Sequence, residues 1–122
     1  MPGAPEGFSI DERLAVYGSL APGEHNAHVL APLAGEWTEG EIIGTLQPIT
    51  EGYAAGYRGI RLDGGDAVPC MLFSSHDLPG FWPTLDHFEG AEFFRTIVQV
   101  QIGDSLIEAN LYEWRPSGAL DV

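Results

Sequence analysis

Lysine is absent from this 122-residue chain, and its five arginines face 18 aspartates and glutamates, giving a formal charge of −13. So little positive charge excludes the usual footprint of nucleic-acid binding, in which Lys and Arg neutralise phosphates, and it opposes contact with anionic membranes. Cysteine is limited to Cys70, so no intrachain disulfide and no cysteine-based metal cluster can form. No run approaches the roughly 20 consecutive apolar residues that cross a bilayer, and the N-terminus lacks the basic and apolar regions of a secretory signal. Repeats and low-complexity stretches are missing as well. The expectation is an acidic cytoplasmic domain with neither nucleic acid nor membrane as a partner. At this length one hydrophobic core fits and two do not. Residues 1–122 therefore read as a single domain, with 1–11 and 116–122 as loose termini.

What is present is mostly a β pattern. Arg13 to Val16 is an apolar strand, Glu24 to Leu33 reads as a short helix, and Gly35 to Leu46 as a second strand carrying Ile42-Ile43. Gly56 to Leu62 and Ala67 to Phe73 flank Asp63-Gly64-Gly65-Asp66, a strong hairpin signal. A helix spans Leu78 to Phe88, with Pro79 and Pro83 competing to start it. Phe93 to Ile102 and Leu106 to Trp114 form a second hairpin about Gly103-Asp104, whose alternating Ile97 to Ile102 points one face inward. This composition predicts an α+β fold, a small mixed β-barrel of about five to six strands with one or two flanking helices. A flat α+β sandwich is the competing arrangement.

Two segments carry chemistry. Phe81, Trp82, Leu85 and Phe88 share the core-facing spacing of a helix, and Glu89 follows Leu85 by four, at the edge of that apolar face. Burial raises a carboxyl pKa toward neutrality, where the group becomes a useful base; a solvated acid ahead of the Gly90 cap is the bland alternative. The other segment is the strand end Val16-Tyr17-Gly18-Ser19-Leu20, running into Pro22-Gly23 and Asn26. A glycine turn of this kind can aim successive amides at one anion, although an ordinary strand end with a Pro-Gly turn is the commoner meaning.

Taken together, Val16 to Leu20 with Pro22, Gly23 and Asn26, then Leu85-Asp86-His87-Phe88-Glu89-Gly90 with Phe94-Arg95, resemble the gamma-glutamylcyclotransferase-like family. The likeness is greatest to its small bacterial members and to gamma-glutamylamine cyclotransferases. It extends over roughly residues 13 to 114, with Gly40 to Leu46 resembling the family's second strand and Ala109 to Trp114 its last. Pro69-Cys70 departs from the pattern where many relatives carry a glycine. The resemblance implies a mixed β-barrel, substrate binding by Tyr17, Gly18, Ser19 and Leu20, and Glu89 as catalytic base. It further implies a substrate of the gamma-glutamyl amine or peptide class, cleaved to 5-oxoproline without metal, nucleotide or other cofactor.

The remaining residues read as follows. Tyr17 and Tyr112 each offer a phenol and Arg95 a fixed charge, all three as substrate-binding candidates. The ring of Tyr17 reads equally well as core, and Arg95 as half of an ion pair with Asp86 or Glu92. Cys70, within Val68 to Phe73, reads as a small core residue, since a nucleophilic thiol would need His76 or His87 as its base. His25 and His28 would share a face of the 24–33 helix, yet no further residues complete a metal-ligand set. A non-catalytic small-molecule-binding domain is the rival function. The leaving group of the substrate and the oligomeric state stay open.

Overall fold

Buried and exposed residues alternate in the strand Phe93–Ile102 and in the middle of Glu36–Pro48, so that one face points into a barrel, whereas the buried runs of Arg13–Val16, Ser105–Trp114 and the end of Arg58–Ser74 are covered on both faces. The computed structural model describes residues 5–115. Its strands are β1 (Arg13–Val16), β2 (Glu36–Pro48), β3 (Arg58–Ser74), β4 (Phe93–Ile102) and β5 (Ser105–Trp114), and one helix, α1 (Leu78–Glu89), lies between β3 and β4. The strands close into a barrel in the order β1, β3, β2, β4, β5. All pairs are antiparallel except β1 with β5, which run parallel through Leu14 and Asn110. The expected mixed barrel is therefore observed, with five strands.

Inside the barrel lie Ala15, Ile42, Ile60, Leu72, Val100 and Leu111. Between the barrel and α1 a second apolar layer joins Leu14, Val16, Phe73 and Tyr112 to Leu78, Trp82 and Leu85. Fully buried leucines in such layers cost about 2–5 kcal/mol when cut to alanine, so α1 is fixed to the barrel chiefly through Leu78 and Leu85. In β4 the alternation works as the sequence indicates: Val98, Val100 and Ile102 are buried while Ile97 is exposed.

Several local expectations change. Asp63-Gly64-Gly65-Asp66 is not a hairpin turn, because both flanking segments belong to β3 and both pair with β2. Gly44 pairs with Asp66, and the next residue, Thr45, with Arg61, so residues 62–65 are an extended bulge. A side chain at Gly64 would collide with Thr45. Buried Glu113 secures the bulge, accepting the Leu62 N–H at 2.9 Å and the Arg115 guanidinium at 2.8 Å. Chain reversal between β2 and β3 occurs instead at residues 49–57. That loop is closed by Ile49 N–H to Tyr57 O (2.8 Å) and Gly56 N–H to Ile49 O (2.9 Å).

Residues 24–33 form only a 3-10 turn at Ala27–Val29 rather than a helix, so His25 and His28 share no helical face. Pro22, Gly23 and the turn-forming Asn26 interrupt helix propagation before it begins. Residues 8–11, read as part of a loose terminus, are held: Ile10–Glu12 make a 3-10 turn, Phe8 stacks on His76, and Trp82 donates to Asp11 O at 3.0 Å. Residues 1–4 and 116–122 lie outside the described residues. Among the described residues no helix is long and apolar enough to cross a membrane.

Candidate active site

Where β1 ends, the chain turns at Gly18 and leaves the barrel, opening a cavity of about 460 Å³ between that turn, the 49–57 loop and the end of α1. This lies within the range of small-molecule sites. Its lining includes Tyr17, Gly18, Ser19 and Leu20 of the turn, Phe88 and Glu89 of α1, and Tyr112 of β5. Six of the seven residues that the sequence nominates thus share one wall system; the seventh, Arg95, does not line it.

Glu89 reaches the cavity because of how α1 starts and stops. Asp77 precedes the helix and Pro79 occupies its first turn, where a missing N–H leaves no bond unmade. The buried stripe Leu78, Trp82, Leu85 then carries on to Glu89 at the last helical position. Gly90 ends the helix at φ 87°, a conformation glycine adopts without strain, and its N–H caps Asp86 O at 3.2 Å. Phe88, expected to face the core, is 41 % exposed and lies at the cavity instead. Desolvation alone pushes the Glu89 carboxyl up from 4.5 to about 7. From outside, the Tyr53 hydroxyl donates to Glu89 O at 2.7 Å and accepts the Glu92 N–H at 3.1 Å, tying the 49–57 loop to the residue after which the helix stops. Tyr53 is a site residue that the sequence does not single out, since nothing in the local pattern distinguishes it from Tyr57 in the same loop.

The turn is shaped by its own carbonyls. Ala21 N–H donates to Gly18 O at 3.0 Å, and Asn26 both donates its backbone N–H to Ser19 O (2.8 Å) and its side-chain amide to Ser19 Oγ (3.0 Å). The N–H groups of Gly18, Ser19 and Leu20 donate to no acceptor among the described residues. Three unpaired amides beside a cavity are the equipment for holding a carboxylate or an oxyanion. Gly18 is not needed for its conformational freedom, however: its φ is not positive, and an added Cβ would meet nothing within 4 Å. What the glycine supplies is space.

The two tyrosines have different parts. Tyr17 donates its hydroxyl proton to Tyr112 O at 2.8 Å and accepts the Ile60 N–H at 3.2 Å, so its phenol braces β1 against β3 and β5 while its ring lines the cavity. Burial drives its pKa well above the ordinary tyrosine value. Tyr112 donates to Asp86 Oδ1 at 2.6 Å, and burial together with that bond keeps it protonated. With its proton directed at Asp86, the oxygen has only lone pairs left for any other partner.

Arg95 lies behind that bond. It grips Asp86 with two hydrogen bonds, at 3.0 and 3.2 Å, and its guanidinium covers the Trp82 ring at 4.4 Å. Burial works to raise the Asp86 pKa, but the bonds from Arg95 and Tyr112 outweigh it and hold the carboxylate below its usual range. Arg95 is accordingly half of a structural ion pair that orients Tyr112, and not a direct ligand of the cavity.

A smaller cavity of about 300 Å³ adjoins the first, sharing Tyr17, Gly18, Glu24 and Arg58 with it and continuing past Pro69 and Cys70. The Pro69-Cys70 departure noted in the sequence therefore affects this annex rather than the chamber of Glu89. The Cys70 thiol is buried and its pKa is pushed up to about 12 by desolvation, which keeps it protonated and unreactive at neutral pH. Among the described residues no cluster of three or more His, Cys, Asp or Glu side chains has metal-binding geometry.

The family model described as gamma-glutamyl cyclotransferase, AIG2-like, matches residues 14–121. Among the curated proteins none matches the chain. Solved structures that resemble it include an AIG2-like protein of Mus musculus, 18 % identical with a TM-score of 0.65, the match covering 84 % of this chain and 76 % of the mouse one. An uncharacterised protein of Pyrococcus horikoshii is 20 % identical with a TM-score of 0.60, over 85 % and 80 % of the two chains. A protein specific to uropathogenic E. coli is 20 % identical with a TM-score of 0.62, over 89 % of each. At these identities the likeness is one of fold.

Proposed function

The chain belongs to the AIG2-like gamma-glutamyl cyclotransferase family, and from that premise we propose that it is a cofactor-independent cyclotransferase converting a small gamma-glutamyl amine or peptide to 5-oxoproline and a free amine. The observation that carries this reading is Glu89, a desolvated carboxyl with a pKa of about 7 lining the same cavity as three unpaired amides.

Both reacting groups belong to one substrate molecule. Its α-nitrogen attacks its own γ-carbonyl carbon, a C–N bond forms to close the five-membered ring, and the bond to the departing nitrogen breaks. The attacking nitrogen gives up two protons and the departing one gains two, so no water or electron is consumed. Holding such a substrate folded is worth several kcal/mol of barrier, since effective molarities of well-oriented intramolecular reactions are very large. The chemical demand that remains is removal of a proton from the α-ammonium, which has no free lone pair. A carboxylate titrating near neutrality suits this, being ionised often enough to accept the proton and acidic enough to return it to the leaving nitrogen. Amides of Gly18, Ser19 and Leu20 hold the α-carboxylate or the γ-oxyanion, and Tyr112, through its free lone pairs, is suited to accept a hydrogen bond from the ammonium.

Incubation with a panel of gamma-glutamyl compounds, followed by mass spectrometry for 5-oxoproline, tests the reading. Release from none of them, under conditions in which the protein is folded, would overturn it. Two further outcomes are expected. Activity should survive exhaustive chelation and dialysis, because no step of an intramolecular attack assisted by one carboxylate calls for a metal. Activity lost on chelation and restored by one metal would contradict this. Cys70 should alkylate slowly in the native state, and Cys70→Ser should retain turnover.

Tyr53→Phe offers a finer check, because the hydroxyl touches only backbone groups at Glu89 and Glu92. Each lost hydrogen bond is worth about 1 kcal/mol. Loosening the end of α1 admits water to Glu89, so kcat should fall about 3- to 10-fold and the acid limb of the pH–rate profile should move below pH 7. An unchanged limb would mean that Tyr53 does not position the base.

A further inference from the structure

Four of the five arginines in this chain have partners. Arg13 donates to the carbonyls of Phe8 and Glu108, Arg61 pairs with Asp63, Arg95 with Asp86, and Arg115 with Glu113. Arg58 alone has no side-chain hydrogen bond or ion pair among the described residues, in a protein of 18 acids. It is also the only arginine lining either cavity, and it borders both. An unpaired guanidinium at the junction of two cavities has its five donors free for an incoming anion.

Resting on the cyclotransferase reading above, we propose that Arg58 selects substrates whose leaving group carries a carboxylate, namely gamma-glutamyl conjugates of amino acids or peptides in preference to those of simple amines. The placement follows from what each wall offers. The gamma-glutamyl half must meet Glu89, which lines the larger cavity and not the annex. The three free amides of Gly18 to Leu20 suit that half's own carboxylate or oxyanion. Arg58 stands at β3's first residue, where the space extends away from Glu89 toward Pro69 and Cys70. A group attached to the departing nitrogen extends in that direction. Glu39 would repel an anion deeper in the annex, and Glu24, which like Arg58 borders both cavities, forms no ion pair with that arginine, which leaves Arg58 as the position where a carboxylate is accepted.

Gamma-glutamyl-alanine and gamma-glutamyl-ethylamide differ only by the carboxylate, so they isolate its contribution. Wild type is expected to favour the alanine conjugate by about 2- to 5-fold in kcat/KM, the value of one ion pair at an exposed position. In Arg58→Gln that ratio should collapse toward one through a raised KM for the alanine conjugate, and Arg58→Lys should restore part of it. Raising the salt concentration should shrink the wild-type ratio, since the guanidinium is exposed. Equal losses for both conjugates in Arg58→Gln would overturn the proposal and assign Arg58 to the glutamyl half. A wild-type ratio near one would overturn it outright. If neither conjugate is turned over, calorimetric titration of both into wild type and Arg58→Gln decides the matter independently of catalysis. Tighter wild-type binding of the alanine conjugate, lost in the variant, would sustain Arg58 as the carboxylate site while the cyclotransferase reading falls; indistinguishable binding would sink the proposal as well.

Discussion

Glu89→Gln is expected to lower 5-oxoproline release by about 100- to 10,000-fold, the usual loss for removal of a general base, while making the protein more stable at neutral pH. The two effects have one cause. The carboxyl is displaced from 4.5 to about 7 by desolvation, so the folded state holds the proton more tightly than the unfolded chain does. A group with a raised folded-state pKa contributes its full stability below the unfolded pKa and loses it as pH rises through the folded one. Wild type should therefore lose stability from about pH 4.5 to pH 7 and stay at the lower level above that. At ~1.4 kcal/mol per pH unit the loss amounts to about 3 kcal/mol. The glutamine, which does not titrate, escapes it. Thermal melts of both proteins from pH 4 to 8 should diverge across this interval, and wild-type activity should climb with a midpoint near pH 7. Parallel melts, or turnover surviving in the variant, would refute the role assigned to Glu89.

Gly18→Val is expected to weaken binding of 5-oxoproline by on the order of 100-fold or more, because hydrogen bonds from amides to a charged oxygen are worth about 1.5–3 kcal/mol each and more than one would be obstructed. Its melting temperature should stay close to that of wild type. The reason is steric: no heavy atom lies within 4 Å of a Cβ at this position, and the backbone there is not in the left-handed region. Gly18→Ala should fall between the two in affinity. A strand end without a binding role predicts the reverse, unchanged affinity with any loss falling on stability. Calorimetric titration beside a thermal melt separates these outcomes.

How far the sequence reveals this molecule depends on the range of the interaction concerned. Alternation in β4 and the Leu78, Trp82, Leu85 stripe are local periodicities, and they place strands and helix within a residue or two of their observed bounds. Glu89 is legible for the same reason, as the next position on that stripe. The Asp63 to Asp66 segment misleads because its glycines signal a turn, whereas it is packed against Thr45, paired to Gly44 through Asp66 and secured through Leu62 by Glu113, all distant in sequence. The bond from Tyr17 to Tyr112 O spans 95 residues, and the one from Tyr53 to Glu89 spans 36. Neither leaves a trace in local pattern. Arg58 is invisible for a further reason, since its role rests on having no partner among the described residues, and only the three-dimensional placement of the acids shows that.

The parallel seam between β1 and β5 has a bearing on how the molecule is made. Translation delivers β1 first and β5 last, with Leu14 waiting for Asn110. Throughout that interval the outer edge of β1 is an open row of backbone donors and acceptors, and β4 likewise has no neighbour to take β5's place. Unpaired edges of this kind invite joining between nascent chains. Tyr112, which completes the cavity wall, arrives on the same late strand. A ribosome paused before β5 would thus hold a chain that has Glu89 and the amide turn but lacks one wall of the cavity, so the candidate site is assembled only once β5 has emerged.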